Sequence, residues 1–301
     1  MVEDLLIVSS SPYIRAQDTV KRIMYSVAIA LIPAVAAGVF FFGWQALAVV
    51  LTSVGAALAT EVIWQRLRGI PLTVSDGSAI VTGMLLALNL PPTVPLWIAA
   101  LGSAVAIIIG KQVYGGLGAN PFNPALVGRV FLTASFPAIM TNWLSPAGYD
   151  AIASATPLAA TTKIPLSNLF WGSVPGCIGE TSAFALLIGG LYLLIKGYID
   201  YRIVSGVLGT VVVISLIMGL NPLAQLFAGG LMLGALFMAT DMVTSPVTPK
   251  GRWIFGIGIG VLVMLIRHGA GMPEGVSYSI LLMNATVPLI NRATRPRIYG
   301  R

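Results

Sequence analysis

The chain has 301 residues, of which only 17 are Lys or Arg and 10 are Asp or Glu, while apolar residues make up 57%. With charge at 9%, against about 25% in an ordinary soluble domain, and a mean hydropathy of +0.91, a water-soluble enzyme, a disordered tail and a nucleic-acid-binding domain are excluded. The net charge of +7 is scattered rather than clustered, so it marks no polyanion-binding patch. The apolar runs are continuous rather than alternating, which favours membrane helices over a β-barrel.

In chain order, residues 1–20 read as a cytoplasmic segment. Its start, MVEDLLIVSS, lacks a basic stretch before an apolar core, so no cleavable signal peptide is expected and the first span serves as its own insertion signal. A crossing helix needs about 20 apolar residues. Ten segments qualify as spans: 22–43, 46–65, 77–90, 95–110, 121–140, 180–196, 203–219, 223–240, 253–267 and 276–291. Three are irregular. Segment 77–90 is short and ends in Asn89-Leu90-Pro91-Pro92, 121–140 opens with Asn120-Pro121-Phe122-Asn123-Pro124 and carries Arg129, and 223–240 ends in Ala239-Thr240-Asp241. Such interruptions are the mark of broken or half-membrane helices.

The basic residues orient the spans. With the N-terminus in the cytoplasm and the ten spans alternating, 14 of the 17 fall inside: Arg15, Lys21, Arg22, Arg66, Arg68, Lys111, Lys196, Arg202, Lys250, Arg252, Arg292, Arg295, Arg297 and Arg301. Lys163 and Arg267 fall outside and Arg129 within a span. This asymmetry supports ten crossings with both ends inside.

The two halves share a rhythm. A break at Asn89-Leu90-Pro91-Pro92 is followed by Trp97, an apolar helix, Gly115-Gly116-Leu117-Gly118 and a polar entry into a last helix. A break at Asp241-Met242-Val243-Thr244-Ser245-Pro246 is followed by Trp253, an apolar helix, Gly269-Ala270-Gly271 and another polar entry. Five spans per half invert the second copy, so the fold is expected to be all-α, with two inverted five-helix repeats (21–140 and 180–291) whose breaks meet near the midplane. Between them, 141–179 forms an outside loop whose Trp143, Tyr149, Phe170 and Trp171 point to packing, and 292–301 is a basic cytoplasmic tail.

One cysteine, Cys177, and one histidine, His268, exclude an intrachain disulfide, a metal cluster and a haem pair. Cys177 reads as an inert thiol in the outside loop, and His268 as an interfacial residue beside Arg267. Acids inside membranes are functional candidates. Glu61, Asp76, Asp241 and Glu274 therefore mark a possible Na+ or H+ path, although Asp76-Gly77-Ser78 also reads as a helix cap. Asn120 and Asn123 lie three apart and would share a helical face. They could bond a ring rich in carbonyls and imide N–H groups, or cap the broken helix. Arg129, two turns on, needs a partner.

The outside loop contains Asp150-Ala151-Ile152-Ala153-Ser154-Ala155-Thr156. This stretch resembles the flavinylation motif of the D subunit of the Rnf complex and the B subunit of the Na+-pumping NADH:quinone reductase, one family. The strings Ser75-Asp76-Gly77-Ser78, Gly118-Ala119-Asn120-Pro121-Phe122-Asn123-Pro124 and Pro273-Glu274-Gly275-Val276 resemble the same family, and the likeness covers about 20–295. It implies that Thr156 carries FMN through a phosphoester made by a flavin transferase, with Asp150, Ser154 and Ala155 as motif positions; the phosphate's charge would need donors, and Lys163 is the one basic residue nearby in the sequence. It also implies that Asn120, Asn123 and Arg129 approach a second, non-covalent flavin, riboflavin or FMN.

The resemblance further implies a subunit of a redox-driven Na+ or H+ pump in the bacterial or archaeal cytoplasmic membrane, passing electrons between ferredoxin and NAD with other membrane and peripheral subunits. The chain has no nucleotide-binding Gly-rich loop after a strand and no cysteine-rich cluster motif, so it is not catalytically complete alone. The quinone-reductase subunit carries a longer N-terminal extension than the roughly 20 residues here, which favours the Rnf type. A solute channel with urea-transporter-like inverted repeats is the alternative of another class, since a repeat scaffold does not fix function.

Overall fold

The computed structural model describes residues 18–143, 165–269 and 275–296, and among these the regular structure is helical with no strand. Thr19 caps α1 (Val20–Phe42), its Oγ1 accepting from Arg22 N. Gly43, at φ 71°, turns the chain into α2 (Trp44–Leu67). Next come α3 (Ser78–Leu88), α4 (Leu96–Ile108), which is followed by a 3-10 turn at Gln112–Tyr114, α5 (Pro124–Ser135) and the single-turn α6 (Pro137–Met140). The segment between the halves includes α7 (Leu166–Trp171). The second half holds α8 (Ala183–Lys196), α9 (Tyr201–Ile217), α10 (Pro222–Phe227), α11 (Leu231–Leu233) running into a π-helical stretch (Gly234–Met238), α12 (Pro249–Gly269) and α13 (Gly275–Ala293).

The protein is a multi-pass membrane protein. Among the described residues, four helical stretches are long and apolar enough to cross a bilayer: Val20–Phe42, Trp44–Leu67, Leu96–Tyr114 and Pro249–Gly269. The irregular segments are broken, as their sequence implied. At 11 and 12 residues, α3 and α5 each cover roughly half of a hydrocarbon core about 30 Å thick. The expected span 223–240 is not one helix but α10, α11 and the π-helical stretch, interrupted at Ala228-Gly229-Gly230. Gly229 lies at φ 68°, a left-handed backbone that a helix does not tolerate.

The halves pack in the same order. α2 lies against α3 and α4, as α9 lies against the π-helical stretch and α12; α4 packs on α5, as α12 packs on α13. α1 meets α8 and α5 meets α13 across the join. Tyr198, just past α8, donates to Asp18 Oδ1 just before α1 at 3.0 Å, so α1 and α8 run antiparallel and the second half is inverted. The face where α1 begins, here the N-terminal face, gathers Lys21, Arg22, Arg66, Arg68, Lys196, Arg202, Lys250, Arg252 and Arg292 at the ends of helices. The segment between the halves is packed as its aromatics implied: Phe170 lies 5.7 Å from both Phe184 and Phe227, and Trp171 5.1 Å from Phe184.

On the N-terminal face, Asp200 caps α9 through Arg202 N at 2.8 Å and takes the guanidiniums of Arg202 and Arg252, tying α9 to α12. Burial pushes its carboxyl up, but the Arg202 N–H and the two guanidiniums outweigh this and hold it below the usual carboxylate range. A folded-state value below the unfolded one gives stability that is complete above the ordinary carboxylate range and fades as pH falls through the lowered value. Asp200→Asn should therefore lower the unfolding temperature at neutral pH, and its gap from the native protein should narrow on acidification; a pH-independent gap would refute the tie.

Close helix contact without hydrophobic driving force needs small residues. A Cβ on Gly189 of α8 would lie 2.0 Å from Ala30 O of α1, whereas one on Gly55 would meet nothing within 4 Å. Gly189→Ala should cost about 1–3 kcal/mol by overpacking, read as a lowered unfolding temperature in detergent, and Gly55→Ala should cost nothing.

Candidate functional site: two clefts at the broken helices

The start of α3 is built by its own sequence. Gly77 at φ 82° lets the chain turn, and Asp76 Oδ1 accepts from Ser78 N at 2.8 Å and Ser78 Oγ at 2.6 Å. The capping reading of Asp76 is thus realised. α5 starts similarly. Pro124 has no N–H to satisfy and occupies the first turn, and Asn123 Oδ1 accepts from Ala125 N and Leu126 N at 3.1 and 3.3 Å. Asn120 bonds its own turn, donating to Phe122 O and accepting from Gly118 N. Both asparagines precede the helix, so a turn brings them together and not the helical face that their spacing suggested.

These two beginnings and the end of the π-helical stretch enclose a narrow cleft that opens toward the N-terminal face, about 760 Å³ counting its mouth. Ser78, Thr82, Lys111, Asn120, Asn123 and Asp241 supply its polar wall; Val27, Leu85 and Phe237 are among its apolar residues. Asp241 Oδ1 accepts from Val243 N and its Oδ2 from Thr244 Oγ1, at 3.2 and 3.1 Å.

Behind this wall lies a buried ion pair. Glu61 of α2 is 0% exposed and Lys111 is 2% exposed. Lys111 Nζ donates to Glu61 Oε1 at 2.7 Å and to Ser78 Oγ at 2.6 Å. Glu61 Oε1 also accepts from Gln112 Nε2 at 2.8 Å and Gln65 Nε2 at 3.2 Å. Its Oε2 has no hydrogen-bond partner among the described residues. A chain of polar contacts therefore runs from Asp76 through Ser78 and Lys111 to Glu61. Sequence reasoning placed Lys111 among the loop cations; the structure buries it. The spacing of Glu61 and Gln65, one turn apart on one face of α2, hinted at a polar stripe. Nothing local tied it to Lys111, 50 residues on.

A second, much tighter cleft mirrors the first on the opposite side, lined by Asn89, Arg129, Glu180, Gly230, Met238 and Ser277. Arg129, 2% exposed, donates to Met140 Sδ at 3.0 Å and has Cys177 Sγ at 3.9 Å. Cys177 is buried and donates to Asn89 O at 3.0 Å, so its thiol fastens backbone rather than facing a loop. The three residues expected around one flavin are therefore divided: Asn120 and Asn123 share the first cleft and Arg129 lines the second. Between the clefts, Asn123 Nδ2 donates to Met238 O at 3.3 Å and Asn89 Nδ2 approaches Met238 Sδ at 3.6 Å. His268 is exposed at the end of α12, while its neighbour Arg267 is buried and donates to the carbonyls of Gln225 and Ala228 at 2.8 and 3.0 Å. Asp150, Ser154, Ala155, Thr156, Lys163 and Glu274 lie outside the described residues.

A model of the NQR2, RnfD, RnfE family matches residues 7–300. The chain belongs to this family. It is 51% identical, over 98% of its length and 95% of the relative's, to the D subunit of the Na(+)-translocating ferredoxin:NAD(+) oxidoreductase complex of Acetobacterium woodii. It is 45% identical, over 99% and 97%, to the proton-translocating counterpart of Clostridium ljungdahlii. It is 39% identical, over 97% and 98%, to the D subunit of the ion-translocating oxidoreductase complex of Cronobacter sakazakii.

Breaking a buried ion pair leaves an uncompensated charge, at a cost of about 3–5 kcal/mol, whereas replacing both partners is far milder. Lys111→Met should accordingly lower the unfolding temperature sharply, and Glu61→Gln combined with Lys111→Met should recover most of the loss. Additive losses in the double variant would mean that the two groups do not interact.

Proposed function

We propose that this chain is a flavin-carrying membrane subunit of an Rnf-type ion pump, passing electrons within a multi-subunit complex that links ferredoxin and NAD. The observation that carries the reading is near-full-length similarity to three proteins named as the D subunits of such complexes, together with a mainly apolar cleft with polar groups on one side at the two broken helices. Relatives named for Na+ and for protons are both similar, so the pumped cation is Na+ or H+. The N-terminal face is the cytoplasmic one, because the helix-end cations gather there.

The chemistry of the first cleft's lining supports the reading of a non-covalent flavin site. The cleft has apolar walls for an aromatic ring system, two carboxamides at Asn120 and Asn123 that can accept from and donate to its imide edge, and the Lys111 cation nearby. A bound flavin supplies one- and two-electron transfer, while the protein supplies position and electrostatics. Asn123 is already engaged as a cap and by Met238 O, so Asn120 is the freer of the two to meet a ligand. Glu61 and Asp76, joined through Ser78 and Lys111, form the inner end of a cation path, and Asp241 borders the cleft. Thr156, outside the described residues, is the site of phosphoester-linked FMN on the outer side, attached by a flavin transferase; its support is the Asp150–Thr156 motif. The other subunits of the complex are the partners that exchange electrons with these flavins.

Intact-mass measurement of the chain, purified from cells that hold a flavin transferase and the partner subunits, should show one added FMN, and Thr156→Ala should abolish it and its fluorescent band on a denaturing gel. Asn120→Ala should reduce the flavin released by denaturation and leave the covalent one in place. An unmodified native chain would overturn the electron-carrier reading.

A further inference from the structure

Lys111 stands where the cation path and the cleft meet. Its ammonium contacts Glu61 Oε1 and Ser78 Oγ, and the same side chain is part of the cleft wall with Asn120, Asn123 and Asp241. Glu61 is asymmetric. One oxygen takes three donors, from Lys111, Gln112 and Gln65, and the other, equally buried, has no hydrogen-bond partner among the described residues. Such a carboxylate keeps lone pairs for one more proton or small cation, but the ammonium already neutralises its charge.

The inverted repeat supplies a contrast. Arg267 closes α12 as Lys111 follows α4, and each cation reaches the beginning of its half's broken helix: Lys111 meets Ser78, and Arg267 meets the Ala228 carbonyl ahead of α11. Arg267 is forked between Gln225 O, Gln225 Oε1 and Ala228 O. A guanidinium is always charged and pinned by its planar geometry, whereas an ammonium is a point charge on a flexible four-carbon stem. Among the described residues, the N-terminal half thus places an ammonium in contact with a carboxylate, whereas Arg267, which also feels the charge of Glu180, is pinned by carbonyls.

We propose that Lys111 is an exchangeable counter-ion that couples charge in the cleft to cation uptake at Glu61. While the ammonium rests on Glu61, the carboxylate is closed to outside cations. Negative charge arriving in the cleft draws the ammonium toward it, because charges interact strongly where water is scarce. Glu61 is then left to take one Na+ or H+ by way of the partly exposed Asp76 and the buried Ser78. Uptake of Na+ makes no covalent bond, whereas uptake of H+ forms one carboxyl O–H bond as the proton leaves a hydronium of the aqueous face; in either case the incoming cation replaces the ammonium at Glu61, and the ammonium offsets the charge in the cleft. The coupling role rests on the reading of the cleft as a flavin site.

The test uses the purified, fully assembled complex in its oxidised state. Its unfolding temperature is compared in NaCl and in choline chloride of equal ionic strength, and across pH in choline chloride; in liposomes, cations moved per electron are counted. Lys111→Met should acquire a stabilisation by Na+ or by protons that the native complex lacks, and adding Glu61→Gln should remove it. Lys111→Arg preserves the ion pair and the fold but clamps the carboxylate, so cations moved per electron should fall several-fold. The proposal is overturned if Lys111→Arg keeps the native ratio, or if an assembled Lys111→Met shows no cation-linked stabilisation beyond that of the native complex. Should Lys111→Met not assemble, the ratio in Lys111→Arg decides alone. Flavin released by denaturation, measured on the same samples, tests the cleft reading separately: its absence from the native complex removes the flavin assignment, while the cation-linked shift still reports on exchange at Glu61.

Discussion

Hydrocarbon offers no hydrogen bonds, so every backbone group freed by an interrupted helix must find a partner within the protein. This one constraint accounts for most of the polar architecture. Where α3 stops, Leu88 O accepts from Gly179 N at 2.7 Å and Leu90 O from Ile178 N at 3.0 Å, while Asn89 folds its amide back onto Leu85 O. Where the π-helical stretch stops, Met238 O accepts from Asn123 of the other half, and Asn284 bridges Asn123 N to Thr244 O. Each break is thus held partly from outside its own half, that of α3 by the segment between the halves and that of the π-helical stretch by Asn123 of the first half.

Satisfying broken ends in this way brings unusual side chains to mid-depth. Asparagines serve as caps and clips, a thiol bonds a carbonyl, and buried cations occupy the approaches to each broken helix. Because the second repeat is inverted, the two sets of breaks open toward opposite faces, with Asn89, Asn123 and Met238 forming the wall between the two clefts. A single layer of side chains thus separates one approach from the other. Charges placed on the two sides of such a wall interact over short distances and in a low dielectric.

The charges obey the same constraint. Glu61, Lys111, Arg129 and Arg267 are all buried, in a setting where an unpaired charge is expensive. Each is met by polar groups from elements distant in the chain: Lys111 from two other helices, Arg267 from the segment around α10. Such arrangements are poor evidence of stability for its own sake, since a well-packed apolar pair would serve as well. They are better understood as chemistry that the membrane was made to accommodate.

Composition, the run of apolar segments and the distribution of Lys and Arg determined that this is an all-helical membrane protein with an inverted repeat, because those properties follow from the solvent that each segment must meet. Gly77, Pro124 and the prolines and asparagines around them marked the breaks, since special backbone angles and missing N–H groups are local matters. The string from Asp150 to Thr156 carries a resemblance alone, because it lies outside the described residues. Only the tertiary structure decided that Asn120 and Asn123 meet through a turn, that Arg129 belongs to the opposite cleft, and that Lys111 leaves the loops to lie on Glu61. The last two are pairings between residues tens of positions apart, and a helix period carries no information about which other helix supplies the partner.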